Sequence, residues 1–378
     1  MQDRVDEMLY RYWLFRGKGL GNRAKIELIG IFQYASEIYI ATDRELQLRG
    51  LLKPKQIEAI KSMRETIKLD DYYKLEEKGV RFVSYEMDDY PPKLRYIHNP
   101  PFALLYIGKL PSENCKAVAI VGARMCSNYG RYLAEEFSKY LAEKNIQIIS
   151  GLAKGIDGIG QASAVEAGGN TFAVLGCGVD ICYPSENRRI YEKIKTSGGI
   201  ISEFDIGTEP LPNYFPARNR IISGLSDAIL VIEAKEKSGS LITVDFALEQ
   251  GKDVYAIPGR IVDSLSYGCN YLIKQGAQIV ISPKDLYSEL CPFVKKKDET
   301  QLRIEIHSEV ETRLLDILDD VPKTVDEIRE AYNTNYDEKT TNVEIITLLT
   351  KLVLREEVSQ ISGNLFLRRY SSKNIMFV

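Results

Sequence analysis

Four short segments combine glycine with serine, lysine or arginine in a way that suits anion binding. The first is Ile120-Val121-Gly122-Ala123-Arg124. An apolar run ends there on a glycine that tolerates unusual backbone angles, and Arg124 can grip a phosphate through two parallel N–H bonds. In the second, Ser150-Gly151-Leu152-Ala153-Lys154-Gly155-Ile156-Asp157-Gly158, a glycine-rich turn opens a helix. Main-chain N–H groups at such a start carry positive partial charge and point at whatever fills the turn. The third, Phe215-Pro216-Ala217-Arg218-Asn219-Arg220-Ile221-Ile222, sets two arginines two positions apart. On a helix they diverge, which lets them reach successive phosphates, and Phe215 offers a face for a base, worth about 1–3 kcal/mol per stacked base. The fourth, Glu233-Ala234-Lys235-Glu236-Lys237-Ser238-Gly239-Ser240-Leu241, has Ser238 and Ser240 to cap a helix and Gly239 to admit a ligand. Each segment alone is also an ordinary turn or cap; together they predict a phosphate-binding rim.

The usual nucleotide and catalytic patterns are missing. No G-x-x-x-x-G-K-[ST] occurs, and Gly176-Cys177-Gly178-Val179-Asp180-Ile181 lacks the third glycine of a dinucleotide turn. The only histidines, His98 and His307, lie outside these loops, so no nucleophile and base pair is evident. Asp157, Asp180 and Glu203 are the acidic candidates, and the first two equally suit turn stabilisation. Cys115, Cys126, Cys177, Cys182, Cys269 and Cys291 include no C-x-x-C pair. This predicts small buried thiols in a reducing compartment, with neither a metal site nor a disulfide framework. The expectation is a binding protein with no catalytic residue, metal or cofactor.

The elements that must hold the loops are legible between residues 116 and 288. Apolar strands at Ala117–Val121, Gln147–Ile149, Thr171–Leu175, Gly199–Ser202, Ala228–Ile232, Asp253–Ile257 and Gln278–Ile281 alternate with helical stretches at Tyr129–Lys144, Gly158–Ala167, Ser185–Thr196, Arg218–Leu225 and Leu241–Glu249. Near-continuous apolar strands between helices imply an α/β fold with a Rossmann-like, mainly parallel sheet covered on both faces, its ligand outside the strands' carboxyl ends. Val80–Val83 and Ala103–Ile107, among proline-containing stretches, are expected to extend the sheet at its edge.

The predicted divisions are a small N-terminal helical domain over 1–75, the Rossmann-like domain over 76–290, a linker over 291–304 containing Lys295-Lys296-Lys297, and a C-terminal winged-helix domain over 305–378. The last rests on helices at Glu309–Leu318, Thr324–Tyr332 and Thr341–Leu354 and a hairpin at Val358–Leu367 with Gly363-Asn364 near its turn. In the first, Lys18-Gly19-Leu20-Gly21-Asn22-Arg23-Ala24-Lys25 reads either as a helix-hairpin-helix turn, with Lys18, Arg23 and Lys25 near a phosphate, or as a bundle whose glycines only turn the chain. Leu48–Lys55 is a weaker second copy.

The chain has 378 residues, 44% of them hydrophobic and 27% charged, which excludes a disordered or collagen-like chain. Its net charge of -3 divides into +3 over residues 1–75, -1 over 76–304 and -5 over 305–378. A polyanion must therefore be met by a local groove, and the acidic C-terminal module reads as a protein-contact or structural element. No apolar run reaches the roughly 18–20 residues of a membrane helix, and Met1-Gln2-Asp3-Arg4 opens no signal peptide, so a cytoplasmic location is expected.

Taken in order, the Gly122-Ala123-Arg124 turn, the Ser150–Asp157 loop, Gly176-Cys177-Gly178-Val179-Asp180 with Tyr183-Pro184 and Asn187, Ser202-Glu203-Phe204, Phe215–Ile222, Ser238-Gly239-Ser240-Leu241 and Pro258-Gly259 resemble the DNA processing protein A family, also called DprA or Smf. The likeness spans about residues 80–285, and the flanking segments are similar to the helix-hairpin-helix or SAM-like and winged-helix accessories of many members. It implies a non-enzymatic, homodimeric single-stranded DNA binder that protects incoming DNA and loads the RecA recombinase in natural transformation and recombination. The family's DNA pocket then falls on Gly122, Arg124, Ser150, Gly151, Ala153, Lys154, Gly155, Phe215, Arg218, Asn219, Arg220, Ser238, Gly239 and Ser240. Ala123 departs from the Ser or Thr that many members place there.

The architecture also resembles lysine-decarboxylase-like phosphoribohydrolases, which act on nucleoside monophosphates through P-G-G-x-G-T-x-x-E. Here Ser238-Gly239-Ser240-Leu241-Ile242-Thr243 puts Leu241 where the threonine belongs, with Asp245 close to the acidic position, and the pattern is not met.

Overall fold

Runs such as Ala117-Val118-Ala119-Ile120-Val121 are apolar at every position, so they are stable only as strands covered on both faces. The computed structural model, which describes residues 2–49, 52–292, 309–319, 321–336, 339–355, 357–361 and 364–368, places them so. Its two compact units run to Pro292 and from Phe293.

The first unit holds nine strands: β1 (Arg81–Ser84), β2 (Ala103–Gly108), β3 (Ala117–Val121), β4 (Gln147–Ser150), β5 (Thr171–Val174), β6 (Gly199–Ser202), β7 (Ala228–Val231), β8 (Asp253–Ala256) and β9 (Gln278–Ile279). They form one sheet in the order β1-β2-β6-β5-β4-β3-β7-β8-β9. From β6 to β9 all neighbours are parallel, and β2 joins β6 and β1 antiparallel, so the two proline-flanked strands do extend the edge. Strands β3 to β7 are buried along their whole length. The chain winds from β3 to β6 in one direction and returns to β7 on the other side of β3. That reversal opens a crevice at the carboxyl ends.

The covering helices include Asn128–Glu143, Ile156–Glu166, Arg188–Ser197, Tyr214–Leu225 and Gly239–Glu249. Three of them start two to four residues before the first position that sequence periodicity marks, because their opening turns hold Asp157-Gly158, Phe215-Pro216 and Gly239-Ser240. Pro216 is tolerated there because first-turn N–H groups have no helical acceptor to lose.

The N-terminal segment contains helices Gln2–Arg16, Asn22–Phe32, Ala35–Ile40, Asp43–Leu48 and Pro54–Thr66. Tyr12, Trp13, Leu28, Phe32 and Ile60 form one apolar cluster with Phe82, Leu105, Ala173 and Ile200 of the sheet, so helices and sheet share a core. The structure corrects the reading of Lys25. It is only 6% exposed, and its Nζ donates to the Phe15 carbonyl at 2.7 Å. A helix that must bury Leu28, Ile29 and Phe32 turns Lys25 inward with them. Burial pulls its ammonium down to about pKa 8, while Arg23 stays exposed beside Glu27. Gly50 and Leu51 of the second glycine turn lie outside the described residues.

The second unit has helices Glu309–Ile317, Val325–Tyr336 and Asn342–Leu354 around Leu314, Ile328, Tyr332, Ile345 and Leu349. Strands β10 (Lys323–Thr324), β11 (Val358–Ile361) and β12 (Leu365–Arg368) form an antiparallel sheet in the order β10-β12-β11. The expected helices and hairpin are present; Gly363 at the turn and all of the expected linker except Cys291 and Pro292 lie outside the described residues. Among the described residues no helix is long and apolar enough to cross a membrane, and no three His, Cys, Asp or Glu side chains gather to hold a metal.

Candidate functional site

The loops after β3 and β4 are pinned to each other. Gly155 has φ +75° and lies so close to the Ala123 and Arg124 carbonyls that a Cβ would stand 2.3 and 2.5 Å from their oxygens. The next residue's N–H donates to the Ala123 carbonyl at 3.2 Å. Only glycine satisfies both the left-handed angle and the contact. Gly122 is packed similarly against Ile156 and the Glu233 carbonyl. The turn leaves Arg124 exposed, with no hydrogen-bond or ion-pair partner among the described residues.

Within the second loop, side chains hold the backbone open. Ser150 is fully buried and its hydroxyl donates to the Ile120 carbonyl at 2.7 Å, tying β4 to β3 instead of facing outward. The Gly151 N–H donates to Asp157 at 3.1 Å, and Asn187 Nδ2 donates to the Leu152 and Ala153 carbonyls at 2.9 and 3.1 Å. Lys154 stands at the outer edge, exposed and paired with Glu186.

Arg218, the fifth residue of helix Tyr214–Leu225, passes beneath the ends of β4 and β5. It is 5% exposed; Nη1 donates to the Gly151 and Val174 carbonyls and Nε to Asn219 Oδ1 at 3.1 Å. Nη2 has no hydrogen-bond partner among the described residues. A Cβ on Gly151 would stand 2.6 Å from Nη2, so the glycine makes room for the guanidinium. Burial lowers the Arg218 pKa to about 10; Asp157 opposes that shift and the nearby charge of Arg124 adds to it. Burial likewise pushes the Asp157 carboxyl upward against the pull of Arg218 and the Gly151 N–H.

Phe215 lies over Gly176, where a Cβ would meet the ring at 2.9 Å, and beside the exposed Tyr183 ring at 5.4 Å. Asn219 reaches the Gly239 carbonyl at 3.4 Å, and the Ser238 and Ser240 hydroxyls meet at 2.8 Å. Gly239 is exposed and Ser240 is buried. Gly122, Arg124, Gly151, Ala153, Gly155, Phe215 and Arg218 thus converge, with Asn219 leading toward Ser238–Ser240.

Arg220 leaves the group. Two positions on a helix are about 200° apart, so it points away from Arg218. There it meets Glu203 through two 2.6 Å bonds and the Asn99 and Ala217 carbonyls at 3.0 and 2.8 Å. The acidic candidates are all engaged structurally, since Asp180 accepts from the Gly207 N–H at 2.8 Å and from Lys78 at 2.7 Å.

The roles of three residues quoted from the sequence were not legible there. Tyr183 and Asn187, which the sequence marks only as part of the family-like motif run and not as binding residues, stand at the site, Tyr183 beside Phe215 and Asn187 on the Leu152 and Ala153 carbonyls. Glu233, 3% exposed, reaches the start of helix Asn128–Glu143 and accepts from the Ser127 N–H at 2.9 Å and hydroxyl at 2.5 Å. Gly130 leaves room for it, for a Cβ there would lie 2.2 Å from Oε2.

The geometry gathers Arg124, the Arg218 guanidinium and the glycine loop on one open rim of a Rossmann-like sheet. Residues 81–291 match the family model of DNA recombination-mediator protein A, and the chain belongs to that family. It is 38% identical over 288 residues to DNA processing protein DprA of Streptococcus pneumoniae, covering 74% of this chain and 97% of that one. The Smf protein of Escherichia coli is 40% identical over 217 residues, 57% of this chain and 58% of its own length. The X-ray structure of the Streptococcus pneumoniae protein superposes with a TM-score of 0.66 at 36% identity over 74% of this chain and 97% of that one. A structure of DNA processing protein A from Helicobacter pylori, concerned with its single-stranded DNA binding mode, gives 0.50 at 27% identity over 56% and 96%.

Proposed function

We propose that the chain binds single-stranded DNA along the carboxyl rim and acts by binding, not by catalysis. The observation that carries this reading is the convergence of Arg124 and Arg218 Nη2, neither with a hydrogen-bond partner among the described residues, beside the Phe215 and Tyr183 rings. Guanidinium groups take phosphates, while ring faces take bases only where the bases are unstacked, which favours a single strand over a duplex. Few groups are placed to read base edges, so sequence preference is weak. The single-strand binding of the Helicobacter pylori relative supports the same reading.

In this reading Arg124, Arg218, Phe215 and the Gly151–Gly155 loop contact the strand, Asn219 and Ser238–Ser240 continue the path, and Ser150 and Arg220 hold the walls. The protein works in the cytoplasm as a homodimer, protects incoming DNA and passes it to the RecA recombinase in transformation and recombination; the family's recombination-mediator description supports the last step. Exposed Tyr267, Tyr271, Ile279 and Ile281 near the β9 edge offer an apolar face for self-association.

Fluorescence anisotropy with single- and double-stranded oligonucleotides of one sequence is the test. Tighter, salt-sensitive single-strand binding is expected. Equal affinity for both forms, or none for either, refutes the reading.

A further inference from the structure

A strand that crosses the ends of β3, β4 and β5 in turn passes Arg124, Gly151 and Gly176. Sheet order makes β6 the next end on this path, and Glu203-Phe204 follows directly from it. There the half-buried Phe204 ring stacks on Tyr214, centroids 4.2 Å apart and planes 29° from parallel. Tyr214 is the helical neighbour of Phe215, about 100° around the same first turn. The two aromatic residues therefore face adjoining stretches of one rim.

Beside this pair lies a cavity of about 960 Å³ walled by Ile26, Ile97 and Phe246 as well as Phe204 and Tyr214, with Arg23 at its edge. Its carboxylates are accounted for: Glu203 is neutralised by Arg220, and Glu27 is paired with Arg23, whose side chain is still 88% exposed. Flat aromatic and aliphatic walls fit a planar ring, and an exposed guanidinium at the mouth fits the phosphate that such a ring carries.

We infer that this cavity is a second nucleotide subsite: one base of the strand held on the rim inserts beside the Phe204 and Tyr214 rings, with its phosphate at Arg23. This rests on the single-strand reading above and extends the track onto the N-terminal helical segment.

The test compares oligothymidylates of about four and about twelve nucleotides, lengths within the range of single-strand sites. The double variant Phe204→Ala, Tyr214→Ala is expected to bind the long strand roughly tenfold more weakly and the short strand as before, as loss of one stacked base requires. Equal affinity of variant and parent for the long strand overturns the subsite. So does equal weakening for both lengths, which places the defect on the rim. If the unaltered protein binds neither length, the single-strand reading itself fails. Two further measurements stand even if the double variant does not fold. Arg23→Glu, at an exposed position, should weaken the long strand selectively. Photo-crosslinking of a long strand carrying 5-iodouracil to the unaltered protein should label Tyr214 or Phe204; labelling confined to Tyr183 and Phe215 overturns the inference.

Discussion

Replacing Arg124 and Arg220 separately by alanine distinguishes a residue that holds DNA from one that holds the protein. Arg124 is exposed and without a partner among the described residues, so Arg124→Ala should change stability by no more than about 0.5 kcal/mol. A single strand releases about 0.7 counterions for each phosphate neutralised, so loss of one contact should flatten the plot of log affinity against log salt by about 0.7. Between about 50 and 200 mM salt the variant should then lose about 2.6-fold less affinity than the parent. Arg220 differs because its side chain and that of Glu203 are 7% and 12% exposed and doubly bonded. Removing one member strands a buried charge, at a cost of about 3–5 kcal/mol. Arg220→Ala should therefore lower the urea midpoint strongly. Anisotropy titrations at several salt concentrations, with urea unfolding of the same preparations, give both quantities. Parallel salt plots for the parent and Arg124→Ala, or a fall in stability of Arg124→Ala like that of Arg220→Ala, would refute the reasoning.

Lys25 offers a pH experiment. Burial lowers its pKa from 10.5 to about 8, a shift corresponding to about 3 kcal/mol. Between those values the unfolded chain binds more protons than the folded one, so this contribution to stability is full above about pH 10.5 and is lost as pH falls through 8. Urea midpoints of the parent minus those of Lys25→Met should rise across that window, and a flat difference counts against a buried ammonium. Gly155→Ala meets two carbonyl oxygens and an unfavourable φ, so it should cost about 1–3 kcal/mol and weaken single-strand binding by moving Arg124; calorimetric melting and anisotropy check the two effects.

Much of the sheet was legible because burial on both faces imposes a composition that survives in one dimension: no polar residue interrupts Ala117–Val121 or Ala228–Val231. The convergence of Arg124, the Gly151–Gly155 loop, Phe215 and Arg218 was legible for a related reason, since loops after neighbouring parallel strands must end on one rim. Partnerships made across the fold were not. Arg218 and Arg220 look alike in the chain, and their roles separate only through partners distant in sequence, the Gly151 and Val174 carbonyls for one and Glu203 for the other. Lys25 looked like a surface cation because charge outweighs the neighbouring Leu28 and Ile29 in a sequence reading, whereas in the fold those residues set the orientation of the helix. Helix starts were read late because glycine, proline and serine occupy opening turns that propensity disfavors and local caps permit.

In the proposed reading, Glu233 accounts for why the strand does not take the usual Rossmann phosphate position. The turn after its first parallel strand ordinarily receives a dinucleotide's phosphates at a helix start. Here β3 leads to helix Asn128–Glu143, and the protein's own carboxylate sits at that start on the Ser127 N–H and hydroxyl. A phosphate in the same position would displace those bonds and face a buried acid. On the adjoining side of β3 Arg218 lies beneath the ends of β4 and β5 beside the buried Asp157, and Arg124 stands close enough to lower the Arg218 pKa further, so these cationic groups outnumber that carboxyl. In the proposed reading a phosphate is thus kept from the start of helix Asn128–Glu143 itself, while Arg124 and Arg218 draw an anionic chain across the neighbouring strand ends. An extended polyanion can follow that line of strand ends, whereas a compact dinucleotide would need the position that Glu233 occupies.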